Sequence, residues 1–247
     1  MPTGRLYCGD SLKILPEIPK ESIPLVVTDP PFNCLTNWGA KEGKESSRLN
    51  PAKWFANDNL SDADFKIFIQ DAFSKIYDVL VPGGGSLIFC DYKIYPLFYN
   101  TLQEVGFSIK NVVIWDKVHF GLGQNWRYVY EMIIFATKGD NYSFYAKKDQ
   151  GNIIREMRLF DTIHPTEKPV PLLKKLIRSC SREGETVLDP FAGSGSTLVA
   201  ANDLDRDWIG IELSEDYCGK IKNRMSQSKL LEFTTPTLES ICKISSQ

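Results

Sequence analysis

Short apolar runs, each closed by turn residues, alternate along this chain with longer stretches of helical periodicity, and that alternation restricts the fold more than any other feature. The strand candidates are Arg5–Cys8, Leu25–Thr28, Ser86–Cys90, Val112–Trp115, Met132–Ala136, Thr186–Leu188 and Trp208–Ile211. Between them, Ala63–Val81 sets Phe65, Phe68, Ile69, Ala72, Phe73, Ile76, Val79 and Leu80 on one helical stripe, behind Ser61 as a cap. Pro171–Cys180 and Ser196–Leu204 read as further helices. Strands alternating with helices predict an α/β fold, a mostly parallel sheet with helices on both faces. In such sheets ligands bind beyond the carboxyl ends of the strands, so the chemistry belongs in the loops that follow them.

The 247 residues fit one large domain, expected over residues 1–225. Residues 226–247, rich in Ser, Thr, Lys and Glu, are expected to be a peripheral tail. Two polar stretches interrupt the alternation, Asn33–Asn59 and Gly139–Ile163. Loops of that length are uncommon unless they serve a function. No apolar run is long enough to span a bilayer and the start carries no apolar signal region, so a cytoplasmic protein with no membrane association is expected. The six cysteines form no C-x-x-C pair and read as reduced thiols. With two histidines, a zinc site is not expected and no metal ligands are assigned. The formal net charge of −2 argues against a uniformly basic surface, so any nucleic-acid contact must rest on local patches.

Residues 186–197 read as strand, glycine loop and helix start. Gly193 and Gly195 permit a tight turn and close backbone approach to a ligand. The next strand ends in Glu212, placed to accept hydrogen bonds from ribose hydroxyls. The loop lacks the lysine of a phosphate loop, and Asp189 would repel a phosphate but suit a cation. S-adenosylmethionine, with a sulfonium and an amino group, fits that charge better than NAD or ATP. A glycine turn without a ligand is the competing reading.

Asp29-Pro-Pro-Phe32 follows the strand at Leu25–Thr28. Consecutive prolines hold the backbone extended and remove N–H groups, leaving carbonyls as pure acceptors. The Asp29 carboxylate and Pro30 carbonyl are then placed to accept both hydrogens of one amino group, and Phe32 to stack on an attached ring. An exocyclic amine is a poor nucleophile because its lone pair is delocalised. Two acceptors favour a pyramidal nitrogen with a localised pair, suited to in-line attack. A rigid turn after a strand is the alternative for this motif alone.

Together these segments resemble the β class of DNA amino-methyltransferases. Asp29-Pro30-Pro31-Phe32 is similar to that family's D-P-P-Y/F catalytic motif. Residues 189–197 resemble its F-x-G-x-G cofactor motif, His164-Pro-Thr-Glu-Lys-Pro169 resembles the segment that opens the cofactor half, and Pro82-Gly-Gly-Gly85 and Val113-Ile-Trp-Asp-Lys117 also fit. The catalytic motif comes first, the β-class order, across roughly Arg5 to Met225. The resemblance implies a circularly permuted, Rossmann-like S-adenosylmethionine methyltransferase fold. It implies catalytic roles for Asp29, Pro30, Pro31 and Phe32. It implies cofactor contacts from Asp10, Thr166, Lys168, Asp189, Phe191, Ala192, Gly193, Ser194, Gly195, Ser196 and Glu212. His164 is read as structural.

Double-stranded DNA is the implied partner, with the target base flipped out of the helix. Lys41, Lys44, Arg48 and Lys53 in the 33–59 loop are candidate DNA contacts. Lys147, Lys148, Arg155 and Arg158 fall in 139–163, the short interval where the family places target recognition. A homodimer and a cognate restriction endonuclease are further implied partners. Asp at the head of the catalytic motif leans towards N6 of adenine, with N4 of cytosine as the alternative. A non-catalytic DNA-binding or regulatory subunit is the reading from a different class.

Overall fold

The computed structural model describes residues 2–33, 60–120, 125–147, 150–159 and 167–227. Eight strands form one sheet: β1 (Gly4–Cys8), β2 (Ile23–Thr28), β3 (Leu80–Cys90), β4 (Ser108–Asp116), β5 (Tyr130–Thr137), β6 (Ile153–Arg155), β7 (Thr186–Asp189) and β8 (Asp207–Glu212). Their order across the sheet is β1-β8-β7-β2-β3-β5-β4-β6. Every neighbouring pair is parallel except the two that involve β5. The helices are α1 (Ser11–Ile14), α2 (Asp62–Val79), α3 (Tyr95–Val105), α4 (Val170–Cys180), α5 (Ser196–Asn202) and α6 (Glu215–Gln227).

The sheet is buried on both sides because its central strands are apolar at successive positions. Leu25 and Val27 of β2, Leu87 and Phe89 of β3, and Ile133 and Phe135 of β5 pack with α4 and α5 on one face. The intervening Val26, Ile88 and Ile134 pack with α2 and α3 on the other. That is the period of two expected of a strand. Helix α2 supplies Phe65, Ile69, Phe73, Ile76 and Val79 to the second face. Each such side chain contributes about 1.5–3 kcal/mol when fully buried. Its cap is as expected, with the Asp64 N–H donating to Ser61 Oγ at 3.1 Å.

The structure departs from the sequence reading in several places. The helix expected over Ala63–Val81 stops at Val79, because Leu80 turns extended and pairs with Ile23, ahead of Pro82. Helices α3 and α6 stand where no element was named, although Pro96 near the start and Gly106 at the end are ordinary boundary signals for α3. Inside the 139–163 stretch, Ile153–Arg155 is an edge strand on β4. Cys8 and Cys218 come into disulfide contact, where reduced thiols were expected. Cys90 and Cys180 are buried free thiols. Among the described residues, no helix is long and apolar enough to cross a membrane.

The chain's order differs from its spatial order in a way that builds the site. From β7 the chain moves outward to β8, which pairs with β1. From β2 it moves the other way, to β3. The strands β7 and β2 are neighbours, so the direction of winding reverses between them. The carboxyl ends on either side of that reversal carry the glycine loop and Asp29.

Candidate active site

Asp29 stands one residue beyond β2, at the point where the winding reverses. Its Oδ2 accepts from Lys168 Nζ at 2.6 Å. Its Oδ1 is buried and has no hydrogen-bond partner among the described residues. Lys168 is itself 7% exposed. Its ammonium also lies 3.2 Å from Glu131 Oε2 and 5.0 Å from the centre of the Phe89 ring. The other Glu131 oxygen accepts from Lys117. Two carboxylates and two ammoniums thus alternate, Asp29–Lys168–Glu131–Lys117, drawn from four separate parts of the chain.

Burial governs the proton affinities along this row. It raises Asp29 to about 6, against the opposing pull of Lys168 and with a further push from Glu131. Burial acts upward on Glu131 too, but Lys168 and Lys117 outweigh it and hold Glu131 below the usual range. Burial pulls Lys168 down, while Asp29 and Glu131 outweigh that and hold it above the usual lysine range. Asp29 is consequently ionised at neutral pH and loses its charge in mildly acidic solution.

The glycine loop adjoins this row. Thr28 Oγ1 donates to Asp189 Oδ1 at 2.9 Å, tying the end of β2 to the end of β7. The Phe191 N–H donates to the same carboxylate at 3.1 Å. Asp189 is 4% exposed, so it braces the loop rather than facing open space, and burial lifts it to about 7. Gly193 and Gly195 both take left-handed φ values, 53° and 79°. A Cβ at Gly193 would meet nothing within 4 Å, which leaves that side of the loop open to a ligand.

Glu212 closes the loop from the next strand. Its carboxylate accepts from the Gly193 N–H and the Ser214 N–H, each at 2.8 Å. Burial raises its proton affinity, opposed by those N–H groups. Asp10 lies at the adjacent strand end, because Cys8 pairs with Glu212 and the Gly9 N–H donates to the Glu212 carbonyl at 2.8 Å. Asp10 caps α1 by accepting from the Leu12 N–H at 2.9 Å. Ser194 and Ser196 are buried beside Arg224 of α6, whose guanidinium lies 2.8 Å from Glu167. Arg224 therefore pins the segment carrying Lys168 to the glycine loop. Ala192 is buried, and Phe191 lies 6.1 Å from Phe68 between ring centres.

Pro30 is buried, Pro31 is half-buried, and Phe32 packs edge-on against Phe98 at 6.3 Å. Asn33 then bonds Leu60 twice, Nδ2 to the carbonyl and Oδ1 from the N–H, each at 3.0 Å. These bonds join the described residues on either side of 34–59. Lys41, Lys44, Arg48, Lys53, Lys148, His164 and Thr166 lie outside the described residues. Lys147 is exposed and Arg158 half-buried, while Arg155 spends its charge on Asp116 at 2.9 Å. Lys168, read as a cofactor contact, is placed against Asp29.

The sequence reading assigns no site role to Glu131 or to Lys117, which are separated from Asp29 by more than eighty residues; Lys117 only closes the family-like run Val113–Lys117. It also missed an aromatic rim at the same end of the sheet. Tyr92, just past β3, stacks on Tyr128 at 4.8 Å, and Trp126 is 94% exposed. A pocket lined by Pro24, Gly84, Phe135 and Tyr142 lies at the opposite strand ends and has no part in this site.

Residues 23–223 match a family profile described as DNA methylase, which spans β2 to β8, Asp29 and the glycine loop together. The chain belongs to the DNA methylase family. Its Asp29–Phe32 segment precedes its glycine loop, which is the β-class order. Type II methyltransferase M2.DpnII of Streptococcus pneumoniae is 28% identical over 89% of this chain and 88% of its own length. Among solved structures, a DNA modification methylase of Thermus thermophilus complexed with S-adenosyl-L-methionine matches with TM-score 0.71 at 23% identity, covering 95% of this chain and 99% of that one. The PvuII DNA methyltransferase, cytosine-N4-specific, matches with TM-score 0.71 at 20% identity over 99% of this chain and 92% of its own. At those identities the two structures establish the methylase fold.

Proposed function

We propose that this DNA methylase transfers a methyl group from S-adenosylmethionine to the N6 amino group of adenine, with Asp29 as the acceptor of the amine's protons. The observation that carries the reading is Asp29 itself. One carboxylate oxygen is held by Lys168, and the other is buried and unpartnered among the described residues, beside a glycine loop. A buried acceptor left without a donor is costly unless a ligand supplies one.

The donor set fits the cofactor. Asp10 and Glu212 end adjacent strands, as a ribose and its adenine require, and the open side of Gly193 faces the same edge. When bound, S-adenosylmethionine would supply a methyl carbon activated by its positively charged sulfur, with the neutral thioether as the leaving group. Asp29, with the Pro30 carbonyl, draws on the amine's hydrogens beforehand, and its carboxylate takes the proton that the methylated nitrogen sheds. Lys168 keeps that carboxylate oriented. Asp189 and Glu212 fix the loop, and Phe32 closes the ring side of the pocket.

DNA approaches over the carboxyl ends of the strands. Base flipping brings the adenine amine down to Asp29. The Tyr92–Tyr128 stack and Trp126 are exposed aromatic surface at that edge, suited to the bases that flank a flipped nucleotide.

The test is incubation with unmethylated genomic DNA and labelled S-adenosylmethionine, followed by digestion to nucleosides and mass spectrometry, with Asp29→Ala alongside. Labelled N6-methyladenine that disappears in the variant supports the proposal. Labelled N4-methylcytosine transfers the same geometry to cytosine and overturns the choice of base. Cofactor binding with no labelled nucleoside overturns the DNA substrate.

A further inference from the structure

Asp29 and Lys168 sit in motifs that the family reading already uses; Glu131 does not. It is the second residue of β5, the strand antiparallel to both of its neighbours, and it pairs across to Trp115 of β4. β5 runs between β3 and β4, so its first residues arrive at the same sheet edge as Asp29. There Glu131 meets Lys168 at 3.2 Å on one oxygen and Lys117 on the other. A glutamate buried this deeply is tolerated because both oxygens face an ammonium.

We infer that Glu131 is a positioning residue for methyl transfer, holding Lys168 between two carboxylates so that Asp29 keeps one oxygen directed at the incoming amine, while Lys117 anchors Glu131 from behind. This rests on the amine-acceptor role proposed for Asp29. Lys168 is a flexible four-carbon cation with three donors. With Asp29 as its sole carboxylate partner, it would be free to swing across both oxygens and occupy the acceptor needed by the substrate. Glu131 draws the ammonium away, and the 2.6 Å and 3.2 Å contacts record the shared position.

The arrangement also has a charge consequence whose sign differs between Glu131 and Lys117. Asp29 faces Lys168 from the segment before α4, Glu131 from β5, Lys117 from the end of β4, Cys90 from β3 and Asp189 from β7. Glu131 pushes the Asp29 proton affinity up and Lys117 pulls it down. Removing the Glu131 charge must therefore let Asp29 ionise at lower pH. Removing the Lys117 charge must make it ionise at higher pH.

The experiment compares wild type, Glu131→Gln and Lys117→Met, each checked for folding by circular dichroism. The Asp29 carboxyl is titrated by carbon-13 NMR in the protein without cofactor, and kcat and KM are measured across pH 5 to 9. We expect the Asp29 midpoint near 6 in wild type, lower by about one unit in Glu131→Gln and higher by about half a unit in Lys117→Met. The acid limb of kcat should follow in the same directions. In Glu131→Gln, kcat at its optimum should fall roughly tenfold, with the KM for S-adenosylmethionine little changed. Opposite shifts cannot come from loosened packing alone. Midpoints that stay put, or move the same way in both folded variants, overturn the inference. The NMR titration needs no turnover, so an enzyme with no activity on DNA would defeat the amine-acceptor reading while leaving the coupling separately measured.

Discussion

The two loops that meet at the winding reversal are built on opposite plans. In the glycine loop every polar group named above is satisfied from close by: Asp189 by Thr28 and Phe191, Glu212 by Gly193 and Ser214, Ser196 by Arg224. At the end of β2, Asp29 is held among the described residues on one side only, and the row that holds it is assembled from β5, the end of β4 and the segment before α4. The first loop is a finished cradle whose geometry is fixed before a ligand arrives. The second keeps an acceptor with no donor among the described residues, which on the proposed function a substrate amine would satisfy. The difference predicts that damage to the two loops separates cleanly into binding and chemistry.

The sharpest separation should come from Asp29→Ala. Loss of the acceptor should slow methyl transfer by on the order of 10³-fold or more, while calorimetry finds cofactor affinity close to wild type. Equal losses in rate and cofactor affinity would erase the distinction between the loops. Glu212→Ala should do the reverse. It removes two charge-assisted hydrogen bonds that shape the loop, so cofactor binding should weaken about 10–100-fold with kcat at saturation largely kept. A collapse of kcat in that variant would place Glu212 in the chemistry.

The same contrast explains what the sequence disclosed. The glycine loop and Asp29–Phe32 are contiguous, and their physics is local: glycine φ values, proline stiffness, a carboxylate at a strand end. Both were legible, as was the sheet, because period-two burial of Leu25, Val26 and Val27 needs no long-range information. Glu131 was not, and Lys117 was legible only as the end of the run Val113–Lys117, with no role attached. Each is an ordinary charged residue flanking an apolar strand, and a solvated position is the usual fate of such a residue. Only the antiparallel insertion of β5 between β3 and β4 turns it inward, and strand order is not written in any one segment. Lys168 illustrates the intermediate case: its motif marked it as important, but the partner it takes, Asp29, came from the fold. Helix α3 was missed for a weaker reason, since Pro96 and Gly106 bracket it openly.

A third change probes how rigid the finished cradle is. Gly195 takes φ 79°, and a Cβ there would sit 2.9 Å from the Ile221 side chain. Gly195→Ala should cost about 1–3 kcal/mol in stability from the left-handed backbone and the overlap together. Adding Ile221→Ala, which removes both γ carbons that the new methyl meets, should recover the steric part and leave the backbone part, a non-additivity that denaturant titration of the two single variants and the double variant resolves. Strict additivity would mean that α6 yields to the new methyl without strain.

The smallest effect concerns the charge that the cradle buries. Asp189 is raised to about 7, chiefly by burial, against the donors Thr197, Thr28 and the Phe191 N–H. Because the folded protein holds this proton more tightly than the unfolded chain, Asp189 contributes most to stability at low pH, and that contribution is lost as pH rises from about 4 through about 7. Asp189→Asn has no proton to lose, yet keeps a carbonyl oxygen for Thr28. The stability of wild type relative to the variant should therefore decline between pH 5 and pH 8, by on the order of 1 kcal/mol once relaxation of the buried site is allowed for. Asp29 titrates in the same window and is present in both proteins, so it cancels in the difference apart from its repulsion of Asp189, which acts in the same direction as burial. Urea titrations at the two pH values give that difference directly. A gap independent of pH would mean that Asp189 holds the same charge at both pH values, and the loop would then be maintained by the ionised carboxylate and its three donors rather than by a carboxyl that gives up its proton near neutrality.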